Sequence, residues 1–111
     1  MKKINVLKNS RDFDRIIRNN KPYKYKDYII FVERGHSDIY HFGISVGKKV
    51  GNAVVRNRVK RQIRNIISKK DYQNDFNCII IVGKAITSRS FKEMEENLII
   101  ALEKLNIIKE N

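Results

Sequence analysis

The sequence predicts a small α/β (α+β) sandwich, in which helices pack on a β-sheet. Segments with strand-like apolar patterns alternate with segments whose apolar residues recur at helical spacing, in the order helix, strands, helix, strand, helix. The chain has 111 residues, of which 41% are hydrophobic and 32% charged, which suits one domain with one core. We therefore expect residues 1–111 to form a single domain.

The first predicted element is a helix near residues 10–19. Ser10 is a suitable N-cap, and Asn19, Asn20 and Pro22 favour the end of the helix. Its apolar side chains recur at helical spacing and are Phe13, Ile16 and Ile17. This pattern predicts that one side of the helix packs on the rest of the domain.

Two predicted strands follow the first helix. Residues 28–32 are rich in β-branched and aromatic side chains, and residues 40–46 alternate between large apolar side chains and polar or small ones. The segment between them contains Gly35, Ser37 and Asp38, which favour a turn. We therefore expect the two strands to form an antiparallel hairpin.

The second half of the chain predicts two helices around one buried strand. Residues 54–69 form the second helix, and residues 78–82 are a continuous apolar run that is typical of a strand buried on both faces. Ser90 and Glu93 have the spacing of a capping box, which begins a last helix that extends to about residue 107.

The net charge is the most informative property of the composition. The chain carries 24 Lys and Arg residues against 12 Asp and Glu residues, which gives a formal charge of +12. Residues 39–70 contain nine basic and no acidic side chains. Because such an excess makes the folded chain repel itself, we expect a polyanion to bind this part of the surface. Nucleic acid is favoured over an anionic membrane, because no helix pairs a basic face with exposed Trp or Phe.

The sequence argues against several other classes of protein and site. No apolar run approaches the roughly 18 residues of a membrane span, and the N-terminal residues have no signal-peptide core. The single cysteine, Cys78, cannot form an intrachain disulfide and is interpreted as a core residue. We interpret His36 and His41 as surface residues rather than metal ligands. These features predict a soluble, intracellular protein. Since the acidic side chains are scattered, we also expect no catalytic or metal-binding residues on the chain itself.

The second predicted helix has one apolar stripe, and the rest of its surface is cationic. The stripe consists of Val55, Val59, Ile63, Ile66 and Ile67. Arg56, Lys60 and Arg64 follow one another at i,i+4 spacing, where like charges repel, and no acidic residue relieves the repulsion. A phosphate backbone would relieve it, and the planar donors of Arg suit phosphate oxygens. The helix is therefore predicted to bind nucleic acid.

Residues 43–64, GISVGKKVGNAVVRNRVKRQIR, resemble the signature of the bacterial ribonuclease P protein component family. The pair Asp12 and Phe13 and the order of the strands are also similar to that family. The resemblance implies a central sheet of about four strands with three helices, and a left-handed βαβ crossover that contains the basic helix. It also implies a protein subunit that assists a catalytic RNA, which uses Mg²⁺ to remove the 5′ leader from precursor tRNA.

The resemblance also assigns roles to individual residues. The expected RNA-binding residues are Lys48, Lys49, Asn52, Arg56, Asn57, Arg58, Lys60, Arg61 and Arg64. The expected leader-binding cleft lies between the sheet and the first helix and contains Phe13, Ile17, Ile29 and Phe31. Ile17 stands where the family often has a second aromatic residue, so the cleft keeps an apolar wall but loses one stacking plane. The implied partners are the catalytic RNA and the precursor tRNA leader, in the cytoplasm, with no obligate protein partner and no membrane.

Two other functions agree with the charge alone. A ribosomal or other structural RNA-binding protein would need the basic helix but no leader cleft. A DNA-binding module would place the same helix in a major groove, but residues 48–52 follow a strand and not the helix that a helix-turn-helix requires. An exposed apolar groove that contains Phe13 and Phe31 therefore distinguishes the processing function from both alternatives.

Overall fold

One mixed β-sheet and three helices make up the fold, which is an α+β arrangement. The computed structural model describes residues 1–110. The strands are β1 (Tyr23–Tyr25), β2 (Tyr28–Arg34), β3 (His41–Val46) and β4 (Phe76–Val82), and the helices are α1 (Ser10–Asn19), α2 (Ala53–Ile67) and α3 (Phe91–Lys104). Two short 3₁₀ turns, Lys3–Asn5 and Lys84–Ser88, precede α1 and follow β4. Within residues 1–110, no helix has the length and apolar character needed to cross a membrane.

The strand order is β1–β2–β4–β3, so the predicted hairpin of β2 and β3 is wrong. Strand β4 lies between them, antiparallel to β2 and parallel to β3. Six of its seven residues are buried, and so apolar a strand is most stable with a neighbour at each edge and side chains covering both faces. The sequence predicted this burial, but the strand begins at Phe76, two residues before the predicted start.

The hairpin of the fold joins β1 and β2, and β1 was missed in the sequence. The two strands are antiparallel across a tight turn at Lys26 and Asp27, and Lys26 has a φ of 52°. A strand of three residues is too short for its apolar pattern to be distinguished from that of a loop.

The two faces of the sheet carry unequal layers. Helix α2 connects the adjacent parallel strands β3 and β4, and it packs with α3 on one face, over the main hydrophobic core. The Tyr28 hydroxyl lies in this core and donates a 3.0 Å hydrogen bond to the carbonyl of Met94. Helix α1 alone covers part of the opposite face, around Phe31 and Ile79. The left-handed sense of the crossover stays a prediction from the resemblance.

The helix ends follow their capping residues. Helix α1 is capped by Asn9 and not by Ser10 as predicted, because the Asn9 side chain accepts a 2.8 Å hydrogen bond from the Arg11 N–H. The predicted capping box of Ser90 and Glu93 is confirmed at the start of α3. Helices α2 and α3 both end earlier than predicted, at Ile67 and Lys104.

Candidate nucleic-acid interface

The first candidate surface is the basic segment, residues 48–64, which comprises the loop after β3 and most of α2. The side chain of Asn52 caps α2 by accepting a 3.0 Å hydrogen bond from the Val55 N–H. The predicted apolar stripe is buried at Val59, Ile63, Ile66 and Ile67. This burial fixes the rotation of the helix, so the polar residues at the other positions of α2 face outward.

The predicted RNA-binding residues lie on the outer side of this segment. Arg56 and Lys60 are half-buried, and the other seven are exposed: Lys48, Lys49, Asn52, Asn57, Arg58, Arg61 and Arg64. Within residues 1–110, no cation of the segment forms an ion pair; the paired cations, Arg15, Lys69 and Arg89, all lie elsewhere. The donors of the basic segment are therefore available to an anion from outside the chain.

The second candidate surface is the α1 face of the sheet, where α1 packs on β2, β3 and β4. Phe31 and Ile79 are neighbours in the sheet, and Ile16 of α1 is fully buried against them. The Phe13 ring lies over Gly43 of β3, where a Cβ atom would collide with the tip of the ring. Gly43 is thus the position that lets α1 approach the sheet closely.

The four predicted cleft residues all belong to this one apolar cluster. Phe13, Ile17 and Ile29 are half-buried and form its accessible rim, next to the half-buried Ile81. Phe31 is only 7% exposed and lies at the base of the cluster, so the expectation that it is exposed is wrong. The structure therefore brings the predicted cleft residues together in one apolar cluster, with the Phe13 ring at its rim and Phe31 at its base.

Where β3 begins, at one end of the α1 face, polar side chains form a hydrogen-bonded row that we call the polar chain. The Arg15 guanidinium donates to both oxygens of Glu33, from Nε at 3.0 Å and from Nη2 at 2.9 Å. The amide of Asn77 donates to Glu33 Oε1 at 2.9 Å, and its oxygen lies 2.8 Å from Nδ1 of His41. Ser37 Oγ lies 3.1 Å from the same nitrogen.

The charged groups of this polar chain are paired with one another. Glu33 and Asn77 are buried, and the paired Arg15 guanidinium, with help from the Asn77 amide, lowers the pKa of the Glu33 carboxyl. Arg15 also pairs with Asp12 through a 2.7 Å contact from Nη1 to Oδ1. A buried carboxylate is tolerated here because each oxygen accepts a hydrogen bond.

This polar chain was not predicted from the sequence, and neither was the hydrogen-bonded position of His41. His41 is half-buried and hydrogen-bonded to Asn77, whereas His36 is exposed as expected. The sequence did contain one signal for the polar chain, because period-two alternation places Glu33 on the same face of β2 as Ile29 and Phe31. The partners on β4 and β3 depend on the strand order, which the sequence did not reveal.

Comparison with known proteins identifies the family. The ribonuclease P family model matches residues 1–106. The chain belongs to the ribonuclease P protein family. A ribonuclease P protein component from Streptococcus pyogenes serotype M12 is 39% identical over 101 residues, which cover 88% of this chain and 83% of the relative.

Solved ribonuclease P proteins have a similar fold. A mutant of the Staphylococcus aureus RNase P protein has a TM-score of 0.85 at 27% identity, over 95% of this chain and 91% of that chain. The RNase P protein of Thermotoga maritima has a TM-score of 0.79 at 25% identity, over 88% of this chain and 94% of that chain. The α+β fold of this family member is therefore shared along most of its length.

In this ribonuclease P family member, β3 connects the two candidate surfaces. The polar chain lies where β3 begins, at His41, and the basic segment follows where β3 ends, at Val46. Six residues of strand span about 20 Å. The apolar cluster lies between these two ends, with the Phe13 ring over Gly43.

Proposed function

We propose that this chain is the protein subunit of ribonuclease P, which assists the RNA-catalysed removal of the 5′ leader from precursor tRNA. The basic segment binds the catalytic RNA, and the apolar cleft of the α1 face binds the leader. The single observation that carries the proposal is the coexistence of these two surfaces in a chain that matches the family model from residue 1 to residue 106.

The basic segment suits a structured RNA because its cations have no partners within the described chain. A phosphate backbone that they neutralise releases counterions, and the affinity gained in this way depends steeply on salt. Asn57 and Asn65 are also exposed and add uncharged donors and acceptors that suit a 2′-hydroxyl.

The cleft suits a single strand because it combines apolar walls with aromatic rings. Bases stack on such surfaces with little sequence preference, which fits leaders of varied sequence. The Phe13 ring is already packed against the sheet at Gly43, so it is positioned before the leader binds.

The chemical step is assigned to the RNA. Within residues 1–110, no group of three or more His, Cys, Asp or Glu side chains is placed to hold a metal ion. Burial raises the pKa of the Cys78 thiol, so this cysteine is unsuited as a nucleophile. The Mg²⁺ ions used by the holoenzyme are expected to be held by the RNA subunit.

A structural RNA-binding protein without a processing role is the alternative. The basic segment alone would serve either function, and the cleft and the family match favour processing. A DNA-binding helix-turn-helix is disfavoured because the element before α2 is the strand β3.

Reconstitution tests the proposal. Purified chain is combined with a bacterial ribonuclease P RNA, and leader removal from precursor tRNA is measured at low Mg²⁺. We expect the protein to restore activity that the RNA lacks under these conditions, and we expect RNA-free protein to cleave nothing at any Mg²⁺ concentration. A chain that binds the RNA but gives no gain in leader removal would support the structural alternative.

A further inference from the structure

The polar chain fixes the tautomer of His41. The Glu33 carboxylate can only accept hydrogen bonds, so the Asn77 NH₂ group must face it. The Asn77 oxygen then faces His41 Nδ1 at 2.8 Å, and an oxygen acceptor requires a proton on that nitrogen. Ser37 Oγ does not compete as a donor, because it donates its own proton to the Ile39 carbonyl at 2.7 Å. In the neutral ring, Nε2 therefore carries the lone pair.

The second nitrogen of His41 is available to a ligand. Nε2 has no hydrogen-bond partner within residues 1–110, although the residue is half-buried and Nδ1 is bonded on the inner side. Among those residues, no buried side-chain nitrogen or oxygen lacks a partner, which means that Nε2 reaches the surface. The ring therefore presents one hydrogen-bond acceptor in a fixed direction.

The groove that His41 lines contains more cations than acids, and its one carboxylate, Asp12, is paired with Arg15. Lys3 and Lys8 lie on its walls and form no ion pair in the described chain. Leu7 lines the groove and also packs against the apolar cluster of Phe31, so the groove continues the cleft. A strand that leaves the cleft at the start of β3 would meet these cations and the acceptor of His41 together.

We propose, on the basis of the proposed function, that His41 is a binding contact for the leader. Its Nε2 accepts a hydrogen bond from one leader nucleotide, from a 2′-hydroxyl or an exocyclic amine, at the end of the cleft remote from the basic segment. Asn77 and Glu33 are positioning residues that hold the ring and its tautomer, and Arg15 holds Glu33. Lys3 and Lys8 bind the adjoining phosphates without reading the nucleotide.

Two substitutions of His41 separate the proposed contact from the structural role of the ring. His41→Asn keeps a donor near the position of Nδ1 for the Asn77 oxygen but removes the outer acceptor. His41→Gln places an amide near the position of Nε2 and keeps an acceptor there. We expect His41→Asn to weaken precursor tRNA binding by reconstituted holoenzyme about 3- to 10-fold, the range for one hydrogen bond, and His41→Gln to retain most of the affinity.

A series of precursor tRNAs with leaders shortened one nucleotide at a time locates the contact. The effect of His41→Asn should disappear when the leader no longer reaches the groove. That length should be greater than the length at which the effect of Phe31→Ala disappears. Mature tRNA, which has no leader, should bind with the same affinity to holoenzyme that contains either His41 variant and to holoenzyme that contains the original protein.

Modified leaders distinguish the two possible donors. A 2′-deoxy nucleotide, or a base without its exocyclic amine, is placed at the position identified by the series. The donor that His41 contacts is the one whose removal abolishes the effect of His41→Asn, because the two changes then remove the same interaction. The proposal would be overturned if the affinity losses caused by His41→Asn and by the modified leader were additive at every modification. It would also be overturned if His41→Asn caused no loss of affinity at any leader length.

Nitrogen-15 NMR of the protein alone tests the tautomer, with Nδ1 protonated and Nε2 unprotonated as the expected result. The opposite tautomer would also overturn the proposal. Comparison of the Phe31→Ala and His41→Asn variants distinguishes failure of this proposal from failure of the proposed function. If Phe31→Ala weakens precursor tRNA selectively while His41→Asn does not, only the role of His41 is lost. If neither variant distinguishes precursor from mature tRNA, the leader does not use this face.

Discussion

The basic segment and the α1 face carry charge in opposite ways. The basic segment presents exposed and half-buried cations with no acidic partner in the described chain, and they repel one another along α2. On the α1 face, Arg15 is paired with Glu33 and Asp12, and the remaining polar groups form a hydrogen-bonded chain beside an apolar cleft. One surface is thus incomplete without a polyanion, while the other is organised before any ligand arrives.

This difference predicts two kinds of RNA recognition in one small domain. Binding to the basic segment should depend strongly on salt and weakly on sequence, because it arises from counterion release. Binding to the apolar cluster of the α1 face should depend weakly on salt, because stacking and neutral hydrogen bonds release few ions. Only the phosphate contacts proposed for Lys3 and Lys8 should add a salt-dependent part there. Substitutions on each surface test this separation.

Val59→Asp should unfold the protein. Val59 is 2% exposed on the inner side of α2, and an unpaired carboxylate there would lose its hydration without gaining a partner. Circular dichroism and denaturant titration measure the loss. Val54→Asp is the matched control, since Val54 is 76% exposed in the first turn of the same helix, where a negative charge is favourable. Equal destabilisation by both changes would contradict the assigned orientation of α2.

Replacing Arg56, Lys60 and Arg64 by Ala should weaken binding of the catalytic RNA and leave the fold intact. At physiological salt, three lost phosphate contacts should cost about 3 kcal/mol, and the log–log salt slope should fall by about 0.7–0.9 per charge. Titrations at several salt concentrations measure both quantities. Replacement of the exposed Lys92, Lys104 and Lys109 removes the same charge elsewhere and should change binding far less. If both triple variants lose the same affinity, net charge rather than the basic segment determines binding.

Phe31→Ala should weaken binding of precursor tRNA to the holoenzyme by about 1–3 kcal/mol, the range for a lost stacked base. Binding of mature tRNA and the salt slope should be nearly unchanged, because Phe31 carries no charge. Since Phe31 is buried, its removal also costs about 3–5 kcal/mol of stability, so folding must be verified. Phe31→Leu is the control that fills the floor without an aromatic ring. A folded Phe31→Ala variant that weakens precursor and mature tRNA equally would exclude this face from the leader path.

The smallest effect should be the pH dependence of stability from Glu33. Its pKa is lowered in the folded chain, so its stabilising contribution is complete above the unfolded value of about 4.3 and is lost as the pH falls through the folded pKa. Glu33→Gln removes this titration, and the free energy of unfolding should then change less with pH below about 4. Denaturant titrations across that pH range provide the test, and an unchanged pH profile would show that the ion pair with Arg15 does not contribute.

The sequence by itself determined the local features of this protein. The helical spacing of Val59, Ile63 and Ile66 predicted which side of α2 is buried, because a regular helix places residues three and four apart on one face. The capping box of α3 was likewise predicted, since it depends only on residues within one turn. The concentration of positive charge indicated a polyanionic partner because residues 39–70 contain no acid that could neutralise it.

Only the tertiary structure decided which strands are neighbours. Local patterns and a suitable turn favoured pairing β2 with β3, but burial of β4 on both faces placed it between them. The same placement brings Glu33, Asn77 and His41 into one row across three strands. Period-two alternation assigns a residue to a face of its own strand, but strand order and register determine its partners. The cleft and the orientation of His41 therefore depend on contacts between residues far apart in the chain.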